Sequence, residues 1–397
     1  MKKLSLDALK ILDLADESAG YCSRLLADMG AKVTKLEHPS GDPSRKYGPF
    51  YRTARGVKES LFFLHHNQGK RGITLNLKRK QGRDIFCRLV KDQHAVIESF
   101  PPGYLDKIGL GFRELSNINP RLIMVSVTGF GQDGDLGGHK SSDLVAAATG
   151  GQVYVSGSPE TPPLQPFGGQ PYYIASLYAA IGLLLAVRKA ARGNKGARVD
   201  ISLQEATAAT LDHVLTRYFA ENVVTTRQGG QHWSDAFGVL PAKDGHLLLS
   251  PFIAWPTVTG WLAADGGQGD LQAAEWDRPE YRQTHAGPVY ERMAAWSKNH
   301  PKNELFQTAQ LMRLPWAPVF APSEVADSPQ LKARDFLNAG GRDKQGPGLK
   351  TPGLTALSKK RPPARAPKLG QDNLAVYHKE LGLSLEELAR LKKLKVI

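Results

Sequence analysis

The residue types that most often carry out chemistry occur in this chain, but few stand in a pattern that works unaided. His65 and His66 are adjacent and His139 is isolated. Neighbouring positions do not share one face of a helix or strand, so the pair lacks the spacing of a metal site, and no metal is expected. Asp143 follows Lys140 closely and opens a helical segment, which makes it a cap candidate. Glu205 lies beyond the Val199–Leu203 strand and reads as the start of a helix. Ser18 precedes an amphipathic run through Tyr21, Leu25, Leu26 and Met29, so it reads as an N-cap at a helix end whose N–H groups favour an anion. The phosphate-cradling and nucleophile signatures are missing. Glu17-Ser18-Ala19-Gly20-Tyr21 stands where G-x-G-x-x-G would be, and neither G-x-x-x-x-G-K-[ST] nor G-x-S-x-G occurs. That argues against a dinucleotide oxidoreductase or a P-loop enzyme.

Charge points to an anionic client. The chain has 397 residues and 52 Lys+Arg against 38 Asp+Glu, a net charge of +14. The cations recur in short groups such as Lys78-Arg79-Lys80, Lys359-Lys360-Arg361 and Lys392-Lys393, without zinc-finger, RNP-like or basic-zipper patterns. A polyanionic small molecule suits scattered cations better than nucleic acid does, because phosphates need only a few placed charges.

The elements that must position these residues alternate in type. Leu9–Leu14 reads as a strand, the run after Ser18 as a helix ending at Gly30, and Val33–Glu37 as a second strand. So short a strand–helix–strand unit implies parallel pairing in a Rossmann-like sheet. Ile73–Leu77, Ala95–Ser99, Arg121–Val127 and Arg198–Ser202 follow as strands, with helices at 79–90, 143–148 and 174–191. The expected organisation is α/β: a Rossmann-like large domain over 1–205, a linker helix and loop over 206–234, a smaller α/β domain over 235–338, and a return linker with a C-terminal helix over 339–397. Ser384 and Glu387 form a capping-box pattern at that helix. Cys22 and Cys87 are too few for a disulfide framework, which points to the cytoplasm. The longest apolar stretch, Ile174 to Val187, is 14 residues, short of a membrane span.

Several strings resemble the family III (CaiB/BaiF-type) CoA-transferases. They begin with Ser18 through Glu37, Gly41-Asp42 with Arg45, Gly48-Pro49-Phe50, and Asn67-Gln68-Gly69-Lys70-Arg71. Val96 through Gly111, Asn119 through Ile123, Ser126 through Gly131, Gly193 through Ser202, Leu314 through Pro318 and Leu369 through Asn373 continue the match in order. The resemblance implies two chains threaded as interlocked rings, with coenzyme A or acyl-CoA as substrate and a carboxylic acid as acceptor. By position it assigns Ser18, His38, Lys70, Ser99, Phe100, Lys107, Ile108 and Lys140 to the CoA site. Lys70, Lys107 and Lys140 suit phosphates as mobile point charges, and Phe100 and Ile108 could flank adenine.

One departure stands out. The family's acyl transfer begins with an aspartate at the start of the buried helix, four residues before a glycine. Here Tyr172 stands at that position and Ser176 at the glycine. A phenol is mostly protonated at neutral pH and cannot carry an acyl group as an anhydride. The racemase branch needs the same aspartate beside a histidine, and His139 lies off that histidine's position. Some enzymes of the family are heteromers with the aspartate in one of two homologous chains, one example acting on succinyl-CoA and benzylsuccinate in anaerobic toluene degradation. The chain looks like an aspartate-less subunit of such a heteromer, with Gly229-Gly230-Gln231 as a lid or an ordinary turn. A self-sufficient racemase or lyase using Asp143 or His139 as base, and a non-catalytic CoA-binding scaffold, are the alternatives.

Overall fold

The computed structural model describes residues 6–52, 56–230, 237–267, 271–339, 350–353 and 365–397. Within the first part of the chain six strands pair in parallel: β1 (Lys10–Asp13), β2 (Lys32–Glu37), β3 (Arg71–Thr74), β4 (Ala95–Glu98), β5 (Ile123–Thr128) and β6 (Ala197–Ser202). Their order, β3-β2-β1-β4-β5-β6, is that of a Rossmann sheet, with ligands expected beyond the strands' carboxyl ends. Helices cover both faces, so most strand residues are buried. Alternate side chains go to opposite faces. Ile11, Ile97, Val125 and Val127 meet α1 (Gly20–Asp28), whose Cys22 and Leu26 share their cluster. Leu12, Val96 and Met124 meet α3 (Lys80–Val90), which buries Ile85, Phe86 and Leu89. A seven-residue α2 (Leu61–Asn67) lies between β2 and β3 in sequence.

The apolar stretch at 174–187 lies in α7 (Gln170–Gly193), a helix of 24 residues. By length and composition alone it could cross a membrane. Ala175, Ala179 and Leu183 instead belong to the first core cluster, packed with strands β5 and β6. Leu177, Ile181 and Leu185 lie on its uncovered face, 48%, 58% and 63% exposed.

One expectation changes. The strand read as Ile73–Leu77 ends at Thr74: the Leu75 N–H still donates to the Glu37 carbonyl at 2.7 Å, but the Asn76 N–H turns to the Val396 carbonyl, and Leu75 and Leu77 stay buried. The outer edge of β3 is closed by the end of the chain. The Asp372 N–H donates to the Gly72 carbonyl at 2.8 Å and its carboxylate accepts the Gly72 N–H at 2.7 Å. Asn373 Oδ1 accepts the Thr74 N–H at 2.9 Å, and the Tyr377 hydroxyl donates to the Thr74 carbonyl at 2.8 Å. The C-terminal helix (Leu385–Lys393) is capped by Ser384, which accepts the Glu387 N–H.

The described chain divides into two compact units, one of residues 1–153, 165–222 and 329–397, the other of 154–164 and 223–328. The smaller contains a three-stranded sheet of Gly238–Ala242, Gly245–Leu249 and Ala317–Val319. These strands are antiparallel. Its core holds Trp255, Trp276, Trp296 and Trp316.

Candidate functional site

At the carboxyl end of β1 the chain buries an ion pair. The Asp13 carboxylate and the Lys70 ammonium are fully enclosed, with Oδ2 and Nζ 2.7 Å apart. Asp13 also accepts from the Ser23 hydroxyl at 2.7 Å and from the Ala15 N–H at 3.0 Å. Lys70 also donates to Asn67 Oδ1 at 2.9 Å and to the Gly20 carbonyl at 3.0 Å. Burial alone would raise the Asp13 pKa, but the Lys70 and Lys35 charges and these hydrogen bonds outweigh it and hold the carboxyl below its ordinary range. The expected mobile phosphate cation at position 70 is therefore a structural one: all three N–H directions are occupied.

The network continues outward. Lys35 pairs with Asp42 at 2.9 Å and donates to the Ala15 carbonyl, while Arg45 grips Glu37 with two hydrogen bonds of 2.6 and 2.7 Å. These contacts fix the turn from Asp13 to Gly20 from beneath. Nothing local in the sequence signals them, since Asp13 and Lys70 lie 57 positions apart.

Above that base, Asp16 collects two of the expected site residues. Its Oδ1 accepts the Ser18 N–H at 2.9 Å, the Ser18 hydroxyl at 2.6 Å and the Ser99 hydroxyl at 2.8 Å, and Ser99 Oγ accepts the Asp16 N–H at 2.9 Å. Ser18 is thus not the cap of α1. The helix starts at Gly20 with Ala19 preceding it, because the Ser18 side chain is already held by Asp16. Phe100 and Ile108 pack against the second core cluster, and the Phe100 ring lies 4.9 Å from Tyr104. Lys107 is exposed at the end of α4 (Tyr104–Lys107), after Gly103, whose φ of 73° requires glycine. His38 is exposed after β2 and its Nδ1 accepts the Ser40 N–H at 3.2 Å, and Lys140 is exposed on the turn preceding α6 (Asp143–Thr149). The structure thus joins Ser18 to Ser99, and strings Phe100, Lys107 and Ile108 along one turn and short helix.

Glu98, the last residue of β4, was not anticipated. It is buried, and its Oε2 accepts the Phe100 N–H at 2.7 Å. Burial pushes its pKa up to about 7, against the opposing pull of Ser126, the Phe100 N–H and Arg198. Its signal in sequence is an acid ending an otherwise apolar strand enclosed on both faces.

At the start of α7, Gly169 adopts φ 65° and Pro171 occupies the first turn. The Tyr172 hydroxyl accepts the Asp143 N–H at 3.0 Å. Burial pushes the phenol up to about 12, so at neutral pH it is protonated. Asp143 is not the cap of α6: Ser142 is, accepting the Val145 N–H. Asp143 Oδ2 accepts Gln165 Nε2 at 2.6 Å, while Oδ1 is enclosed without a hydrogen-bond partner, and burial raises the carboxyl's pKa. His139 is exposed with Phe130 edge-on to its ring, and Glu205 is exposed in the first turn of α8 (Leu203–Ala208). Beside Tyr172, Tyr173 belongs to an aromatic wall, 4.7 Å from Tyr21 and 5.8 Å from His66 between ring centres, with His65 stacked on Tyr21 at 5.9 Å. Burial pushes His65 down to about 4 and His66 to about 3, so both are neutral. Among the described residues no group of His, Cys, Asp and Glu could hold a metal ion. Gly229 and Gly230 form a turn, and Gln231 lies outside the described residues.

Comparison with known proteins decides the family. A profile of CoA-transferase family III matches residues 6–373. The chain belongs to the family III CoA-transferases. It is 31% identical over 356 residues to the succinyl-CoA:(R)-benzylsuccinate CoA-transferase subunit BbsE of Thauera aromatica, covering 87% of this chain and 86% of that one. It is also 31% identical over 404 residues to the succinyl-CoA–L-malate CoA-transferase beta subunit of Chloroflexus aurantiacus, covering 99% and 98%. A solved CaiB/BaiF family protein from Brucella suis superposes with a TM-score of 0.84 at 27% identity, covering 94% of this chain and 98% of that one. The substrates of such a family member are CoA thioesters and carboxylic acids.

Proposed function

We propose that this protein is the non-nucleophilic subunit of a heteromeric CoA-transferase that moves CoA from an acyl-CoA such as succinyl-CoA to a carboxylic acid. The observation that carries the reading is the neutral phenol of Tyr172 at the start of α7, where the family's resemblance calls for an aspartate. A homologous partner chain supplies that carboxylate, within a dimer of the interlocked family type. Two relatives named as subunits support the heteromer, and the exposed apolar row Leu177, Ile181 and Leu185 supports a surface that a second chain covers. Ser18, His38, Ser99, Phe100, Lys107, Ile108 and Lys140 line the CoA site, with Lys70 bracing it from below. The ring wall of Tyr21, His65, His66 and Tyr173 suits an acid that carries an aryl group, such as benzylsuccinate.

Hydroxylamine trapping tests this. Incubated alone with succinyl-CoA, the protein yields no trapped acyl-enzyme; co-expressed with an aspartate-bearing homologue, it co-purifies and the pair transfers CoA, with the adduct on the homologue. The unpartnered Asp143 Oδ1 favours the self-sufficient alternative, and an adduct or turnover in the isolated protein that is lost in Asp143→Asn would replace the heteromer reading by that one. A homodimer that binds CoA but ignores the homologue would leave the scaffold reading.

A further inference from the structure

The buried carboxyl of Glu98 lies in a small cavity where the end of β4 meets the middle of β5 and β6, walled by Tyr104, Phe112, Ser126, Gln132 and Arg198. The groups facing it come from several elements. From β6 come Arg198, which donates to Gln132 Oε1, and Asp200, whose Oδ2 accepts the Gln132 N–H at 2.9 Å. From β5 comes the Ser126 hydroxyl, which lies against the carboxyl without a well-directed hydrogen bond. From α4 come Tyr104 and Asp106, and Asp106 and Glu114 both crowd Gly111 at the rim. Gln132 Nε2 is buried without a partner. The one well-formed bond of the Glu98 carboxyl holds the backbone of Phe100, two residues on, where the chain turns from the strand into Ser99–Gly103 and α4.

We propose that Glu98 is a positioning residue for the CoA site: by clasping the Phe100 N–H it sets the turn that carries Ser99, Phe100, Lys107 and Ile108, and its ionisation controls how firmly that turn is held. An N–H bonded to a carboxylate is held about twice as strongly as one bonded to a neutral acid. That gain is outweighed by burial: the turn itself walls the cavity with Pro101, Gly103, Tyr104 and Leu105, so loosening it hydrates the carboxyl, and the ordered turn favours the protonated acid. Because the carboxyl titrates near neutrality, this competition falls in the physiological range. The sign follows directly. Burial raises the Glu98 pKa in the ordered turn, so below it the acid is neutral and the turn firm; as pH rises through it a charge is stranded in the cavity, the turn loosens, and a ligand seated on it binds less well. The proposal rests on the reading that CoA occupies this chain's own site, so it needs a readout independent of CoA.

Hydrogen exchange of the full chain between pH 6 and 8.5, corrected for intrinsic rates, supplies that readout. Peptides over residues 99–108 lose about tenfold in protection toward alkaline pH in the wild type, the effect of one unit of differential proton affinity. Glu98→Gln, which keeps size and an acceptor oxygen but cannot ionise, flattens that profile. Ser126→Ala, which removes a group favouring the charged acid, moves the transition to higher pH and serves if Glu98→Gln fails to fold. Calorimetric titration with CoA at pH 6 and 8 then shows wild-type affinity falling toward pH 8 relative to Glu98→Gln, whose remaining pH dependence reports the titration of CoA itself. Protection of 99–108 that ignores pH in the wild type, or an unchanged profile in both variants, overturns the proposal. CoA affinities with the same pH dependence in wild type and Glu98→Gln overturn it while leaving the CoA site intact. Failure of CoA to bind any of these proteins at either pH overturns the site reading first, and the positioning role with it, whatever the exchange data show.

Discussion

Two polar clusters of the larger unit make opposite use of burial. Around Asp13 every charge is answered: Lys70 meets Asp13, Lys35 meets Asp42, and Arg45 meets Glu37, with Ser23, Asn67 and backbone carbonyls filling the remaining directions. At the start of α7 the groups are left short. Tyr172 is a neutral phenol accepting one N–H, and Asp143 keeps an enclosed oxygen with no partner. A fully matched ionic cluster is difficult to alter, because loss of one member strands another in a low dielectric. An unmatched one has little to lose. The contrast fits a site whose scaffold is kept while its reacting group is supplied from elsewhere.

Urea unfolding can break that comparison. The largest effect is expected from Lys70→Met, which leaves the Asp13 carboxylate buried and unpaired, at a cost of about 3–5 kcal/mol. The penalty depends on pH with a definite sign. Asp13 has a folded-state pKa below its unfolded one, so its contribution is complete above the unfolded value and is lost as pH falls through the folded value. The Lys70→Met deficit therefore shrinks in acid, and a deficit constant from pH 7 to pH 3 would contradict the pairing. Next comes Tyr172→Phe, which removes the acceptor for the Asp143 N–H and costs about 1 kcal/mol. Turnover of the co-purified pair is unchanged by it, since the phenol takes no part in acyl transfer; a collapse of turnover without loss of stability would return Tyr172 to the chemistry. The smallest effect is expected from Asp143→Asn. Burial raises this carboxyl, so ionisation opposes folding above the folded-state pKa, and the amide is neutral to slightly stabilising at pH 7. The difference from wild type vanishes toward pH 3, where Asp143 is protonated.

The sheet was legible because its strands are short apolar runs separated by turns and amphipathic helices, a local signal at each step. Ala95–Glu98 and Ile123–Thr128 are buried throughout, as strands covered on both faces must be. Position 172 was legible because it breaks a family pattern, together with Ser176 at that pattern's glycine. What escaped was pairing across distance. Lys70 follows Asn67-Gln68-Gly69 and reads locally as a loop cation, yet its partner lies on β1. Ser18 has the residue type of a cap, but Asp16, two residues earlier, claims its hydroxyl. The inclusion of 154–164 in the smaller unit has no compositional mark, since chain segments join a unit by contact rather than by content.

The stitching of Asp372, Asn373 and Tyr377 onto the open side of β3 bears on how the polypeptide is made. About three hundred residues separate Gly72 and Thr74 from the groups that satisfy them. During synthesis that rim stays bare, a template for pairing with other nascent chains, until residues 372–377 leave the ribosome. Stop codons upstream of position 372 should therefore yield insoluble products even where every strand has been made.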